Sequence, residues 1–198
     1  MNCEEEIHYR NEIMSRVYRG EKATAEERLW LATHKLFNWQ LGCPYLNADI
    51  VQLKAKQNYR IKIEIVYLSY ANRIIPVITV PGGKGKIITD FQISDYNGNV
   101  TTGKPVKMLG VTVNQNHSQT EICYQSDLGL LGISYQCDYF DNKHNLLIRK
   151  DSITGDPSFA MIGEVLSDNK MLYRCKLPTS NSFDALVFSV EWVKTIGK

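Results

Sequence analysis

Tyr59-Arg-Ile-Lys-Ile-Glu-Ile-Val-Tyr67 is the stretch whose reading decides the fold. Tyr59, Ile61, Ile63, Ile65 and Tyr67 fall on one side of an extended chain, and Arg60, Lys62 and Glu64 on the other. Apolar and polar residues that alternate with a period of two predict a strand with one face buried and one wet, as in an antiparallel sheet.

The same pattern recurs downstream. Residues 74–80 form a β-branched run interrupted by Pro76, which predicts an edge strand or a bulge. Residues 87–96 alternate again and lead into Asp95-Tyr-Asn-Gly98, where Asn-Gly suits the positive φ angles of a tight hairpin. Further strands are predicted over 106–113, 120–125, 130–140, 146–149, 159–166, 171–176 and 186–193, separated by clusters of Asn, Asp, Gly, Ser and Pro. About ten short strands, with no helical crossover between them, predict an antiparallel β-sandwich, with a small barrel as the alternative.

Upstream the period changes. Ile7, Asn11, Met14, Val17 and Tyr18 recur at spacings of three and four, so a helix with a narrow apolar stripe is expected, ended by Gly20. Thr24-Ala-Glu-Glu27 has the form of a capping box, and the second helix is expected to run to about Trp39 or Leu41. Its apolar rows would be Leu29, Ala32 and Leu36 beside Trp30, Phe37 and Leu41, and Gly42-Cys-Pro44 would stop it. Residues 1–42 are therefore expected to form a helical hairpin packed on a β-sandwich domain, 43–198, without being independent of it.

Composition narrows the function. Apolar residues at 43% and charged residues at 22% are globular values. The net charge is only +2, yet residues 54–110 carry nine basic groups against three acidic ones. Five cysteines, widely spaced and with no C-x-x-C pair, point to reduced thiols in the cytoplasm. The acidic start lacks the apolar stretch of a signal peptide, and no apolar run approaches the ~20 residues of a membrane helix.

The motifs are weak as chemistry. Pro81-Gly-Gly-Lys-Gly-Lys86 could cradle an anion, but it lacks the phosphate-loop spacing and joins strand to strand, so it reads as a solvated turn. Asp95-x-Asn97-x-Asn99 begins like a calcium loop, but Val100 and Val106 stand where glycine and glutamate are needed. Asp138-Tyr-Phe-Asp-Asn-Lys-His144 offers hard-metal ligands in what is also an ordinary strand end and turn. His34 and Cys43 read as a surface histidine and a packed thiol more readily than as a nucleophile pair. G-x-S-x-G and H-E-x-x-H are both absent. Glycoside-cleaving carboxylates would come from separate strands, and Glu64, Asp90, Glu121, Asp138, Glu164 and Glu191 are the strand-borne acids to inspect.

These observations favour a non-enzymatic binding or protein-interaction module with no cofactor or resident metal. Eleven tyrosines are consistent with a contact surface as well as with β-propensity. A carbohydrate-binding or carbohydrate-active sandwich is the first alternative, and anion or nucleic-acid binding by the basic 54–110 region is the second. Another protein is the expected partner, and no membrane contact is expected. The candidate surface residues are Lys84, Lys86, Lys104, Lys107, Trp39, Tyr45, Asp141 and His144. The first place to look is where helix two, the 42–58 connection and the Lys84-Gly-Lys86 loop meet.

Overall fold

The computed structural model describes residues 1–69, 73–90, 92–94, 100–111, 119–141, 146–152 and 157–195. Two helices, α1 (Cys3–Tyr18) and α2 (Ala25–Thr33), precede the strands. The strands are β1 (Asp49–Gln52), β2 (Asn58–Leu68), β3 (Arg73–Thr79), β4 (Gly85–Ile88), β5 (Gln92–Ser94), β6 (Val100–Thr102) and β7 (Met108–Gly110). They continue with β8 (Gln119–Ser126), β9 (Leu130–Asp141), β10 (Leu146–Asp151), β11 (Ala160–Ser167), β12 (Lys170–Lys176) and β13 (Leu186–Lys194).

The larger sheet has six strands in the order β11-β12-β13-β2-β8-β4. In the second sheet the long β9 carries β1 and β10 along one side and β3, then β7, along the other. All pairings are antiparallel, and the described strands form two sheets with no closed barrel, so the chain is a β-sandwich with a helical N-terminus. A separate ribbon pairs β5 with β6. The strands flanking the expected Asn-Gly turn thus do pair, Ser94 opposite Val100, while residues 95–99 lie outside the described residues.

The alternation of β2 sets the layers. Tyr59, Ile61 and Ile63 enter the core with Ile122 and Tyr124 of β8 and Phe188 and Val190 of β13, and meet Ile133, Tyr135 and Cys137 of β9. Each fully buried isoleucine contributes ~1.5–3 kcal/mol relative to an exposed one. The opposite face of the larger sheet carries Lys170, Glu191, Lys62 and Glu121 side by side on four successive strands. Opposite charges as cross-strand neighbours suit a solvated sheet face.

Tyr67 does not follow the expected alternation. The β2–β13 register slips between Val187 and Phe188, so Ile65 faces Phe188 but Tyr67 faces Val187. Val66 is the extra residue of a β-bulge, and beyond it the strand is turned over, leaving Tyr67 53% exposed. Pro76 also departs from expectation, because β3 lies between β9 and β7 and not at an edge. The β7 ladder ends at Val77–Gly110, and the Pro76 carbonyl accepts from Val111, so the missing N–H falls just past the end of the ladder.

The helices begin as their sequences require. Thr24 Oγ1 accepts from the Glu27 amide at 3.2 Å, and Glu27 Oε2 accepts from the Thr24 amide at 2.8 Å. An equivalent box joins Asn2 and Glu5 at the start of α1. The buried residues differ from the expected stripes. Ile13 is the buried member of α1 and Tyr18 is exposed, while in α2 Leu29 is exposed and Glu27 is buried against Arg16. Tyr9 packs edge-on against Trp30, so the two helices meet along the Tyr9, Ile13, Arg16 side of α1.

α2 stops at Thr33, several residues short of the expected end. The Thr33 hydroxyl donates back to the Trp30 carbonyl, and the next residues turn into extended contacts. Phe37 bridges Leu46, and Leu46 exchanges two backbone hydrogen bonds with Met161 of β11. Asn38, 2% exposed, is held by Asn47, Pro157 and Phe159. A buried side chain with three oxygen partners outweighs the propensity of one further helical turn.

Glu27 makes the hairpin acid-sensitive. Its carboxyl is held below the usual carboxylate range, first by the Thr24 amide and then by Arg16. A depressed folded value contributes stability above the unfolded pKa of ~4.3 and loses it as the pH falls through the folded one. Helical circular dichroism on thermal melting should show wild type ahead of Glu27→Gln at pH 7, with the gap closing under strongly acidic conditions. An equal gap at both ends of the titration would contradict this assignment.

Candidate binding site at the lysine-rich end

The β8–β9 turn is the point around which the basic middle of the chain gathers. Gly129, at φ 67°, closes it, and the Leu130 amide donates to Ser126 Oγ at 3.1 Å. On one flank the Lys56 amide donates to the Ser126 carbonyl at 2.8 Å, and the Lys54 amide donates to the Tyr59 hydroxyl at 3.0 Å. On the other flank Gly85 pairs with Ser126, Lys86 pairs with Gln125, and the Asp127 amide donates to the Lys84 carbonyl at 2.9 Å. Lys107 Nζ donates to the Gly85 carbonyl, and the Val106–Ile87 bridge holds the segment between β6 and β7, which carries Lys104 and Lys107, against β4.

Lys54, Lys56, Lys84, Lys86, Lys104 and Lys107 are all exposed, and none forms an ion pair among the described residues. Arg60 and Lys62, also basic and from the same region, belong elsewhere: Arg60 pairs with Glu121 at 2.9 Å, and Lys62 lies in the charged row. Ammonium groups clustered on one end raise the local positive potential, which attracts acidic partners within a Debye length of ~8 Å.

The surface has both polar and apolar parts. A shallow groove of about 310 Å³ is lined by Asn58, Lys86, Cys123, Gln125 and Thr195, among others. Two side-chain amides, an ammonium and a hydroxyl can all donate to a carboxylate. Leu128 at the turn is 45% exposed and lies against Gly82, while Met108, opposite Thr79, is 53% exposed.

A second groove, about 470 Å³, lies where the end of helix two, the connection and the Pro81–Gly83 turn meet. Lys35, Leu36, Asp49, Ile50, Pro81 and Gly82 line it, whereas Lys84 and Lys86 do not. Its carboxylate is engaged internally: Asp49 accepts from the Tyr173 hydroxyl at 2.8 Å and from the Ile50 amide. Burial, followed by Asp49, pushes the Tyr173 phenol upward, so it stays neutral.

The other candidate residues lie apart from the lysines. Trp39 packs with Trp30 and Phe37 and lies under Arg10, while Tyr45 stacks on Phe183 with ring centres 5.0 Å apart. Trp39 thus lies against both helices, and Tyr45 joins the connection to the segment before β13. Asp141 ends β9 opposite Leu146, but its side chain and His144 lie outside the described residues, as does the calcium-like 95–99 segment.

Three of the six strand-borne acids have basic partners. Glu64 meets Lys170 and Ser189, Glu121 meets Arg60, and Asp138 holds Arg149 through two bonds of 2.7 and 2.9 Å. Each of these carboxylates faces a basic group, not another carboxylate. Cys43 and His34 are separated by a carboxylate: Cys43 Sγ donates to Glu6 Oε2 at 3.7 Å, and His34 Nε2 lies 4.0 Å from Glu6 Oε1. Cys137 is pushed up to about 11 by burial and by Asp138, and Cys175 rises by burial alone, so both are packed thiols. Among the described residues no group of three or more His, Cys, Asp or Glu could hold a metal ion. No helix there is long and apolar enough to cross a membrane.

No protein-family model matches this chain, and no curated protein matches it in sequence. Fold and surface together define its class: a β-sandwich with a helical N-terminus and a lysine-rich end.

Sequence reasoning missed Leu128 and Met108 as contributors to this end. Lys54 and Lys56 belong to the basic 54–110 region, but nothing in their spacing places them beside Lys84 and Lys86. Leu128 stands in a Ser-Asp-Leu-Gly turn and carries no periodic signal.

Proposed function

We propose that the chain is a non-enzymatic binding module that docks its lysine-rich end on an acidic surface of another protein. The observation that carries this reading is six exposed lysines around one turn, none in an ion pair among the described residues, with Leu128 and Met108 exposed among them. Apolar residues within a charged rim suit a protein interface, where the centre is dehydrated and the rim steers association. Nucleic acid is the less favoured occupant of the same surface. Among the described residues, Tyr59 and Tyr124 are the aromatics of this end, and both are buried, so no base could stack on them. Five cysteines, all free, support a reducing compartment such as the cytoplasm.

An acidic peptide of about twenty glutamates tests the surface, by fluorescence anisotropy across a salt series. Binding should weaken steeply as salt rises. The triple variant Lys56→Glu, Lys84→Glu, Lys86→Glu should lose at least about tenfold in affinity. Reversing Lys22 and Lys35 should change little. An oligonucleotide of equal charge that binds more than about tenfold tighter than the peptide would move the reading to nucleic acid. Absence of binding by both at low salt would remove the proposal.

A further inference from the structure

The first turn of α1 lies directly over the Gly42-Cys43 corner. Gly42 approaches Ile7, and Cys43 Sγ donates to Glu6 Oε2 at 3.7 Å. Cys3 stands three residues before Glu6 and four before Ile7 on α1, so it lies on the helix face that meets Gly42 and Cys43, and the Cys43 thiol is pushed upward first by burial and then by Cys3. Both thiols are half-buried, neither is bonded, and neither belongs to the lysine-rich end. We propose that Cys3 and Cys43 are an oxidative modification site: a peroxide joins them in a disulfide that pins the start of α1 to the segment carrying the helical hairpin on the body.

The chemistry balances with hydrogen peroxide as the oxidant. The electron balance is the same whichever of the two thiols is oxidised first, and Cys3 serves for the sequence of bonds. The Cys3 sulfur attacks one peroxide oxygen, the O–O bond breaks, and Cys3 becomes a sulfenic acid with release of water. The Cys43 sulfur then attacks the Cys3 sulfur, its proton passes by way of the Glu6 carboxylate to the departing hydroxide, and a second water leaves. Two thiols lose two electrons and one peroxide gains them. The remaining cysteines compete poorly. Cys137 and Cys175 are enclosed by the core, and Cys123, although exposed, lies in a groove whose lining holds no second cysteine.

The full-length chain treated with peroxide and digested without reductant should yield a cross-linked peptide containing Cys3 and Cys43. Dithiothreitol should release it. Cys3→Ser and Cys43→Ser should each abolish the cross-link, whereas Cys123→Ser should leave it intact. Amide exchange over residues 3–18 of the wild-type chain should slow by about tenfold or more on oxidation and recover on reduction. Either of two results would overturn the proposal: Cys3 or Cys43 ending as sulfinic acid without a cross-link, or a cross-link forming with exchange in α1 unchanged. The wild-type mapping stands even if a serine variant folds poorly.

Discussion

Gly85→Ala should destabilise the protein by roughly 3 kcal/mol or more, because two independent penalties meet at one position. The backbone at Gly85 has φ +146°, which a residue with a Cβ rarely adopts. A Cβ there would also lie 2.2 Å from the Gln125 carbonyl oxygen and 2.9 Å from the Ser126 Cα. Both obstacles are backbone atoms of β8, so no rotamer change relieves them. Relief requires β4 to move off β8, taking with it Lys84, Lys86 and the Lys107 bond to the Gly85 carbonyl. Chemical denaturation should register the loss in stability, and the same variant should bind the acidic peptide more weakly. Gly83→Ala is the control: its φ is also positive, but nothing lies within 4 Å of the added carbon, so only the conformational penalty remains.

Tyr135→Phe should cost about 2–4 kcal/mol while leaving the shape of the core unchanged. Tyr135 rises from β9 in the smaller sheet and is fully buried. Its hydroxyl accepts from the Ala160 amide at 2.8 Å and meets the Lys176 and Ala160 carbonyls at 2.7 and 3.0 Å. One phenol thus joins the smaller sheet to the β11 and β12 strands of the larger one. Without the oxygen, an amide and a carbonyl are left unsatisfied where water cannot reach, and that penalty exceeds the net worth of one hydrogen bond. Urea titration measures it. A loss under about 0.5 kcal/mol would mean that the two groups find other partners.

The alternation of 59–67 was enough to read a half-buried strand, and the strands from β8 to β13 were legible for the same reason. The bulge at Val66 was not, since Ile-Val-Tyr is apolar in either register and only the pairing with β13 decides between them. β1 is four residues long, too short for a period to show. α2 was read as too long because Leu36, Phe37 and Leu41 continue a helical spacing. What ends it is Asn38 reaching Pro157 and Phe159, more than a hundred residues away. The charge excess of the 54–110 region was visible in the sequence. Its concentration at one end was not, because β8 must enter between β2 and β4 before Lys56 and Lys86 become neighbours of the same turn. Cys3 and Cys43 pose the same difficulty, since no local spacing signals that the first turn of α1 lies over the Gly42-Cys43 corner.

The docking surface is tested most directly by backbone amide resonances of the isotope-labelled protein during titration with the polyglutamate peptide at low salt. Shifts should concentrate at residues 54–56, 84–86, 104–108 and 126–129, and should reverse when salt is added. Shifts centred on the charged face of the larger sheet or on the helical hairpin, with the β8–β9 turn unmoved, would contradict the assignment of the lysine-rich end as the binding surface.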